Sequence, residues 1–384
     1  MRSGRLIPIL VAAIALLYGA WILHYGILWG ADIDRLSAWA DALVAHHFNF
    51  ASYLRDTPFV APPILYLGFI TVVAVAKVIA GSHWPALIVA LNWAAVILTA
   101  SLVLTTVRRV TSSVFAVLVA AVLLVNFEML QFTTFPMTDV LFLGIATVVV
   151  VMSLRVAEQP SPRAILGGTI ALLLACVFRP AAAPLVVVWI VALLWPRVGL
   201  RTIAALMILA ILVFAALMHD VTRWPFAALR SWVVYLHGSY AAGTIVTGRP
   251  ETWVAPPVGY LDYLAMIARR WLAFFAPAMS GYSTLHKAAN LLYFIPVYAL
   301  ALAAVFLRRS AATTLLLIAI LCTSAFHGMQ EVDYDHRYRL PVLPPLIMLA
   351  ACGAAEIVRR STLTRETSRH PASRAAASTS ATAP

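Results

Sequence analysis

Residues 62–81 read PPILYLGFITVVAVAKVIAG, and whether this stretch crosses a membrane decides how the rest of the chain is laid out. It is mostly apolar, but it opens on Pro62-Pro63, carries Lys77 and closes at Gly81. A crossing takes roughly 20 apolar residues to span about 30 Å of hydrocarbon. Residues 63–80 are therefore read as a juxtamembrane or re-entrant helix rather than a span.

Working outward, apolar runs of spanning or near-spanning length fall at about 6–29, 84–107, 113–130, 138–155, 164–180, 181–196, 201–218, 288–307, 311–328 and 341–358. Ten crossings put both ends of the chain on one side. The positive-inside rule makes that side the cytoplasm. Arg2 and Arg5 lie at one end, and Arg359, Arg360, Arg365, Arg369 and Arg374 at the other. The loops holding Arg108-Arg109, Arg155 with Arg163, Arg197 with Arg201, and Arg308-Arg309 then all fall inside as well. The expected fold is an all-α polytopic membrane protein of about ten transmembrane helices, with juxtamembrane helices in a first outside loop over about 30–83 and a second outside loop over about 219–287. Residues 1–360 form the membrane domain, and 361–384, rich in Ser, Thr, Ala and Arg, a disordered cytoplasmic tail. The run from Leu6 shows no small-residue cleavage pattern and is expected to be retained as the first helix. The Ala- and Arg-rich composition suggests a bacterium, hence its inner (plasma) membrane. Tyr260–Pro277, with apolar residues at helical spacing and Arg269-Arg270, reads as an interfacial amphipathic helix.

Composition agrees with this layout. Of 384 residues, 63% are hydrophobic and 11% charged, against about 25% charged in soluble domains, which excludes an ordinary soluble enzyme. The net charge of +12 would suit a nucleic-acid binder in a polar chain. Here it fits membrane lipid headgroups, a phosphorylated substrate and the topology rule itself. Cys176, Cys322 and Cys352 lie far apart in apolar runs and imply neither disulfides nor a zinc site. The pair His46-His47 lacks a third ligand at metal spacing. There is no P-loop, dinucleotide glycine fingerprint, HExxH or nucleophile elbow.

The acidic residues are sorted by side. Of the 15 in the chain, Glu158, Glu356 and Glu366 fall inside, and the remainder fall outside or at outer helix ends. Acidic residues weigh little in topology, so this bias marks a carboxylate-bearing outer surface. Four clusters stand there. In GADIDRLSAWADAL, residues 30–43, a helix over about 37–48 would gather Leu36, Trp39, Ala40 and Leu43 on one face and rest on the membrane. Asp32 or Asp34 at its start either serves as a general base for an acceptor hydroxyl or amine or caps the helix. Thr138-Asp139 opens the run at 138–155, and Thr138 or Asp139 suits an N-cap. Arg179-Pro180 ends another run, where an arginine fits phosphate oxygens or snorkels to headgroups. Finally, residues 330–341 read QEVDYDHRYRLP and crowd His336, Arg337, Tyr338 and Arg339 before the last helix.

In order and sidedness these clusters resemble the GT-C superfamily of membrane glycosyltransferases, in its polyprenyl-phosphate-sugar-dependent branch of aminoarabinose and protein O-mannosyl transferases. The matching motifs run from Gly30 to about Gly353. They are the aspartate soon after a glycine at Asp32, the alanine-x-x-leucine at Ala40 and Leu43, and Pro62-Pro63 leading to Tyr66. Thr138-Asp139-Val140-Leu141-Phe142, Arg179-Pro180 and Arg337-Tyr338-Arg339-Leu340-Pro341 complete the set. Ala61 departs from the charged residue or histidine common before the prolines, and no C-terminal outer domain is expected after the last helix, which would leave acceptor recognition to residues 219–287.

The resemblance implies transfer of a sugar from a polyprenyl-phosphate-linked donor to a glycan, lipid or protein acceptor at the outer face. Asp32 would be the base, with inversion at the anomeric carbon, and Asp34 its reserve. Arg179, Arg337 and Arg339 would surround the phosphate, with His336 and Tyr338 as hydrogen-bonding neighbours. Tyr66 would contact substrate, and Asp139 would orient sugar hydroxyls or an arginine. No cofactor or nucleotide is demanded; Mg²⁺ held by Asp32 or Asp34 with Asp139 is the alternative. The rivals are a lipid-linked sugar transporter or flippase, which would spread ionisable residues through the depth of several helices, and a catalytically silent subunit.

Overall fold

The computed structural model describes residues 5–56, 66–198, 202, 260–278, 282–330 and 337–369. Among these the secondary structure is helical, with no strand. In chain order the helices are α1 (Leu6–Tyr25), α2 (Ala31–Ala45), α3 (Phe50–Asp56), α4 (Leu67–Ala80), α5 (Trp84–Thr111), α6 (Val114–Leu123), α7 (Phe127–Thr133), α8 (Thr138–Glu158), α9 (Pro162–Phe178), α10 (Ala183–Leu194), α11 (Tyr260–Phe274), α12 (Thr284–Leu307), α13 (Ala311–Gln330) and α14 (Leu343–Arg369).

Six helical stretches among the described residues are long and apolar enough to cross a bilayer, or seven if α6 and α7, bent by 54°, form one span. α6 stops at Leu123, and Asn126 starts α7 as its N-cap, accepting a hydrogen bond from the Met129 amide. α9 and α10 are apolar but shorter, separated by a 3-10 turn at Pro180–Ala182. Nine of the ten expected crossings thus fall on helices, and 201–218 lies outside the described residues except for 202, as do Pro62-Pro63 and most of 219–287. The protein is a multi-pass, all-α membrane protein.

The segment that opened the sequence reading forms α4, 14 residues long, or about 21 Å at 1.5 Å per residue. That is short of a hydrocarbon thickness. Gly81, at φ +54°, closes it in a backbone conformation that other residues rarely hold, and a single 3-10 turn leads into α5. Phe69, Ile70, Val73, Ala74 and Ala76 are buried, and α4 packs on α2, α5 and α9.

Burial separates periphery from centre. In α1, 11% of the spanning window is buried; in α8 it is 72%, and in the span containing α14 it is 83%. α14 packs closely along α12, where a side chain in place of Gly353 would collide with the Leu300 carbonyl. α11, expected to lie on the membrane surface, packs along α13: the Trp271 indole donates to Ser324 Oγ at 2.8 Å, and Arg270 and Phe274 are buried.

Two boundaries differ from expectation. α2 begins at Ala31, six residues before Ser37, because Asp32 and Asp34 sit in its first turn, where carboxylates favour the exposed amides and the helix dipole. α14 continues to Arg369, through the first part of the segment read as a tail; residues 370–384 lie outside the described residues.

Candidate functional site

α2 is held against the bundle by its apolar face. Ile33, Leu36, Ala40 and Leu43 are buried, and Lys77 of α4 reaches across to the Ser37 carbonyl (3.0 Å), Ser37 Oγ (2.7 Å) and the Asp41 carboxylate (2.6 Å). Gly30 supplies the N-cap with no side-chain cap. Neither aspartate is therefore a cap, and both project from the first turn. Asp34 accepts from the Trp29 indole at 2.9 Å, on the exposed side. Asp32 faces inward: one carboxylate oxygen accepts from Arg35 at 2.9 Å and the other from Arg337 at 2.6 Å.

Arg337 starts a 3-10 segment, Arg337–Val342, that leads into α14. Its guanidinium donates to the Tyr338 hydroxyl at 2.8 Å and stands 4.8 Å from the centre of that ring. Arg179 comes to the same ring from the end of α9, at 5.2 Å. Its backbone is extended, and Pro180 prevents the helix from continuing. The side chain does not snorkel outward. It is buried and paired with Asp139. The latter stands in the first turn of α8, whose N-cap is Met137, so Asp139 is an arginine partner and not a cap. Tyr66, at the start of α4, lies near Trp39 of α2, with ring centres 6.5 Å apart, and near enough to Arg179 to interact electrostatically.

Tyr338 is thus the hub of a cluster containing Asp32, Asp139, Arg179 and Arg337. With Arg35 at the rim, three guanidinium groups face two carboxylates, leaving one positive charge. Asp32 senses this surplus. Burial works to raise its pKa, but Arg337, Arg35 and Arg179 outweigh burial and hold the carboxyl below the usual carboxylate range. Arg337 and Asp32 retain 22% and 29% side-chain exposure while Arg179 and Asp139 retain 6% and 2%, so the cluster opens on the Asp32 side and closes behind Asp139. Thr138 Oγ1, Asp139 Oδ2 and Arg337 Nε are buried without a hydrogen-bond partner. Both carboxylates are engaged by guanidinium groups, and no three His, Cys, Asp or Glu side chains converge as a metal site among the described residues.

Arg339, expected beside the phosphate, is placed elsewhere. It is 2% exposed. It donates to Glu128 of α7 at 2.9 Å and to the carbonyls of Ala276 and Phe274 at 2.7 and 3.3 Å, and its guanidinium lies 4.1 Å over Phe294. Asn290 of α12 donates to the same Glu128 oxygen at 3.1 Å. This is a structural junction of four elements. His336 lies outside the described residues. Glu128 and Asn290 were not singled out from sequence, although a glutamate inside the apolar run 113–130 is a signal in itself.

No family model matches the chain, and no curated protein matches it by sequence. Among solved structures it is similar to the crystal structure of ArnT from Cupriavidus metallidurans bound to undecaprenyl phosphate, with a TM-score of 0.53 and 16% identity over 92% of this chain. The chain spans 60% of the length of that protein. At such identity the likeness carries the architecture alone: the chain shares the fold of that protein.

Proposed function

We propose that the protein is a glycosyltransferase that takes a sugar from a polyprenyl-phosphate-linked donor and passes it to an acceptor at the outer face of the bacterial inner membrane, both termini being cytoplasmic. The observation that carries this reading is the Tyr338 cluster. Two guanidinium groups at the ring and Arg35 at the rim face two carboxylates, one of them partly exposed, in a fold shared with a protein crystallised with undecaprenyl phosphate.

A phosphodiester donor brings one negative charge, which matches the surplus. Arginine forks suit phosphate oxygens, and leaving-group charge is best stabilised by donors fixed in advance. Arg179 is fixed by Asp139, while Arg337 is the more accessible of the two. In this reading a phosphate oxygen takes over the Arg337 contact, and Asp32 is released from one of its two guanidinium partners. Relieved of that charge, it becomes a stronger base for the acceptor hydroxyl or amine. The acceptor attacks the anomeric carbon in line, its proton passes to Asp32, the bond from the anomeric carbon to the phosphate oxygen breaks, and configuration inverts. Asp139 orients Arg179. The reaction needs no metal in this scheme. The crowding of these residues at the outer helix ends supports an enzyme of one face over a transporter path.

The test is transfer of label from a radiolabelled polyprenyl-phosphate sugar to membrane extract by purified protein in lipid. Asp32→Asn should abolish transfer while expression is retained and the unfolding temperature falls only by the small amount expected for a partly exposed ion pair. Full activity in that variant would sink the base assignment, and no transfer by the unaltered protein from any polyprenyl-phosphate sugar would sink the reading itself.

A further inference from the structure

One buried polar group beside the cluster has no part in the scheme above. His327 lies near the end of α13 and is 4% exposed. Its ring stacks on Phe274 with centres 5.7 Å apart and planes 10° from parallel. Phe326 stands edge-on at 5.6 Å, and Tyr338 lies 5.2 Å away. Three aromatic rings thus fix the imidazole, yet its Nε2 is buried with no hydrogen-bond partner. Leaving such a nitrogen unpaired costs about 1–3 kcal/mol, and native structures rarely accept that without a use. Around the same Tyr338 ring stand the guanidinium groups of Arg179 and Arg337, and Arg337 Nε is also buried and unpartnered. An unpartnered imidazole nitrogen, which carries a hydrogen in one of its two neutral tautomers, and an unpartnered guanidinium N–H beside one tyrosine, with the surplus positive charge of Arg35 at the rim, fit an acceptor-rich anion. A sugar hydroxyl would satisfy one nitrogen and leave the charge unmatched; a phosphoryl group serves both.

We propose that His327 is a phosphate-binding residue, its Nε2–H donating to a phosphoryl oxygen of the lipid-linked ligand while Arg337 and Arg179 supply the charge. This rests on the reading of the protein as a polyprenyl-phosphate-sugar transferase. It adds an uncharged-to-charged distinction to the site: the ligand is held by its phosphate at the Tyr338 ring as well as by its prenyl chain among the helices.

The test compares binding of undecaprenyl phosphate with binding of undecaprenol, which has the same chain and no phosphate, by native mass spectrometry of the purified full-length protein. His327→Phe keeps a ring to stack on Phe274 and removes the donor. Binding of the phosphate should weaken about tenfold, as expected for a lost hydrogen bond to a charged group, and binding of the alcohol should be unchanged. His327→Gln, which restores an N–H donor, should recover part of the loss. Equal weakening for both lipids would show that His327 only supports the packing, and no weakening for the phosphate would show that it does not touch it; either overturns the inference while leaving the functional reading intact. Failure of the unaltered protein to bind undecaprenyl phosphate overturns both.

Discussion

Arg337 and Arg339 stand two residues apart in one 3-10 segment, and their surroundings have little in common. A 3-10 helix has three residues per turn, so side chains two apart project about 120° from each other. That rotation sends Arg337 to a cluster where it is 22% exposed and shares Asp32 with Arg35. It sends Arg339 into the junction of α7, α11 and α12, where it is 2% exposed and meets a glutamate, two carbonyls and an aromatic ring. The first arginine is reachable, the second sealed. A tyrosine between two arginines therefore divides one short motif into a working half and an anchoring half, and the anchor sets the height at which the working half is presented.

The strongest way to break this contrast is to unseat the anchor. Arg339→Met leaves Glu128 buried without its cation, which costs about 3–5 kcal/mol, so the variant should unfold at a much lower temperature in detergent or fail to accumulate. Adding Glu128→Leu should recover much of that stability, because replacing a whole buried ion pair by apolar groups is often close to neutral. Recovery stays incomplete, since the Phe274 and Ala276 carbonyls lose their donor. If Arg339→Met instead kept its unfolding temperature and lost transfer alone, the division between the two arginines would be wrong.

Arg337→Gln should show the opposite pattern. Removing one charged donor from a leaving-group site costs about 10²–10³ in kcat, while stability should stay within about 1 kcal/mol, as for other ion pairs open to solvent. Steady-state transfer rates and thermal unfolding measured on the same preparation separate the two effects. A large fall in stability would make Arg337 a second anchor.

The sequence carried the apolar helices because they depend on length and apolarity alone, properties that each run holds locally. It also carried Asp32, Asp139, Arg179 and Arg337, since ionisable residues at outer helix ends are costly and stand out. It did not separate Arg337 from Arg339, because the separation depends on Glu128, 211 residues away in the chain, and on the phase of a 3-10 turn. Asp32 and Asp34 read as lying ahead of α2 because a carboxylate before a helix and one inside its first turn leave the same trace; the bond from Trp29 that engages Asp34 spans only five residues but depends on how the chain enters α2. His327 ends an apolar run and reads as part of it; its burial against Phe274 is visible only in the packed structure.

A subtler effect concerns pH. The carboxyl of Asp32 is held below the usual carboxylate range by its arginines, so its folded-state pKa is depressed. Its ion pairing therefore contributes stability above the unfolded pKa, near 4, and that contribution is lost as pH falls through the lower folded value. In the free enzyme the acid limb of kcat/KM should lie below about pH 4. In Arg337→Gln one of the charges that depress Asp32 is gone, and the limb should move up toward the ordinary value. An acid limb unmoved by Arg337→Gln would mean that Asp32 titration does not govern the reaction.

The smallest effect belongs to the support of α2. Lys77 ties α4 to α2 through Ser37 and Asp41 and lies 5.4 Å from the centre of the Trp84 ring, so it sits behind Asp32 without touching the cluster. The buried face of Ile33, Leu36, Ala40 and Leu43 removes more apolar area from water than one lysine can replace. At roughly 1.5–3 kcal/mol for a fully buried large side chain, those residues should keep α2 in place when the lysine is lost. Lys77→Met should then cost about 1 kcal/mol or less, seen as a small drop in unfolding temperature, with transfer falling a few-fold because Asp32 is held less firmly. Asp41→Asn, which removes the more exposed partner, should cost less still. A loss of transfer in Lys77→Met as deep as that in Asp32→Asn would mean that the lysine, and not the apolar face, sets where α2 presents its carboxylate.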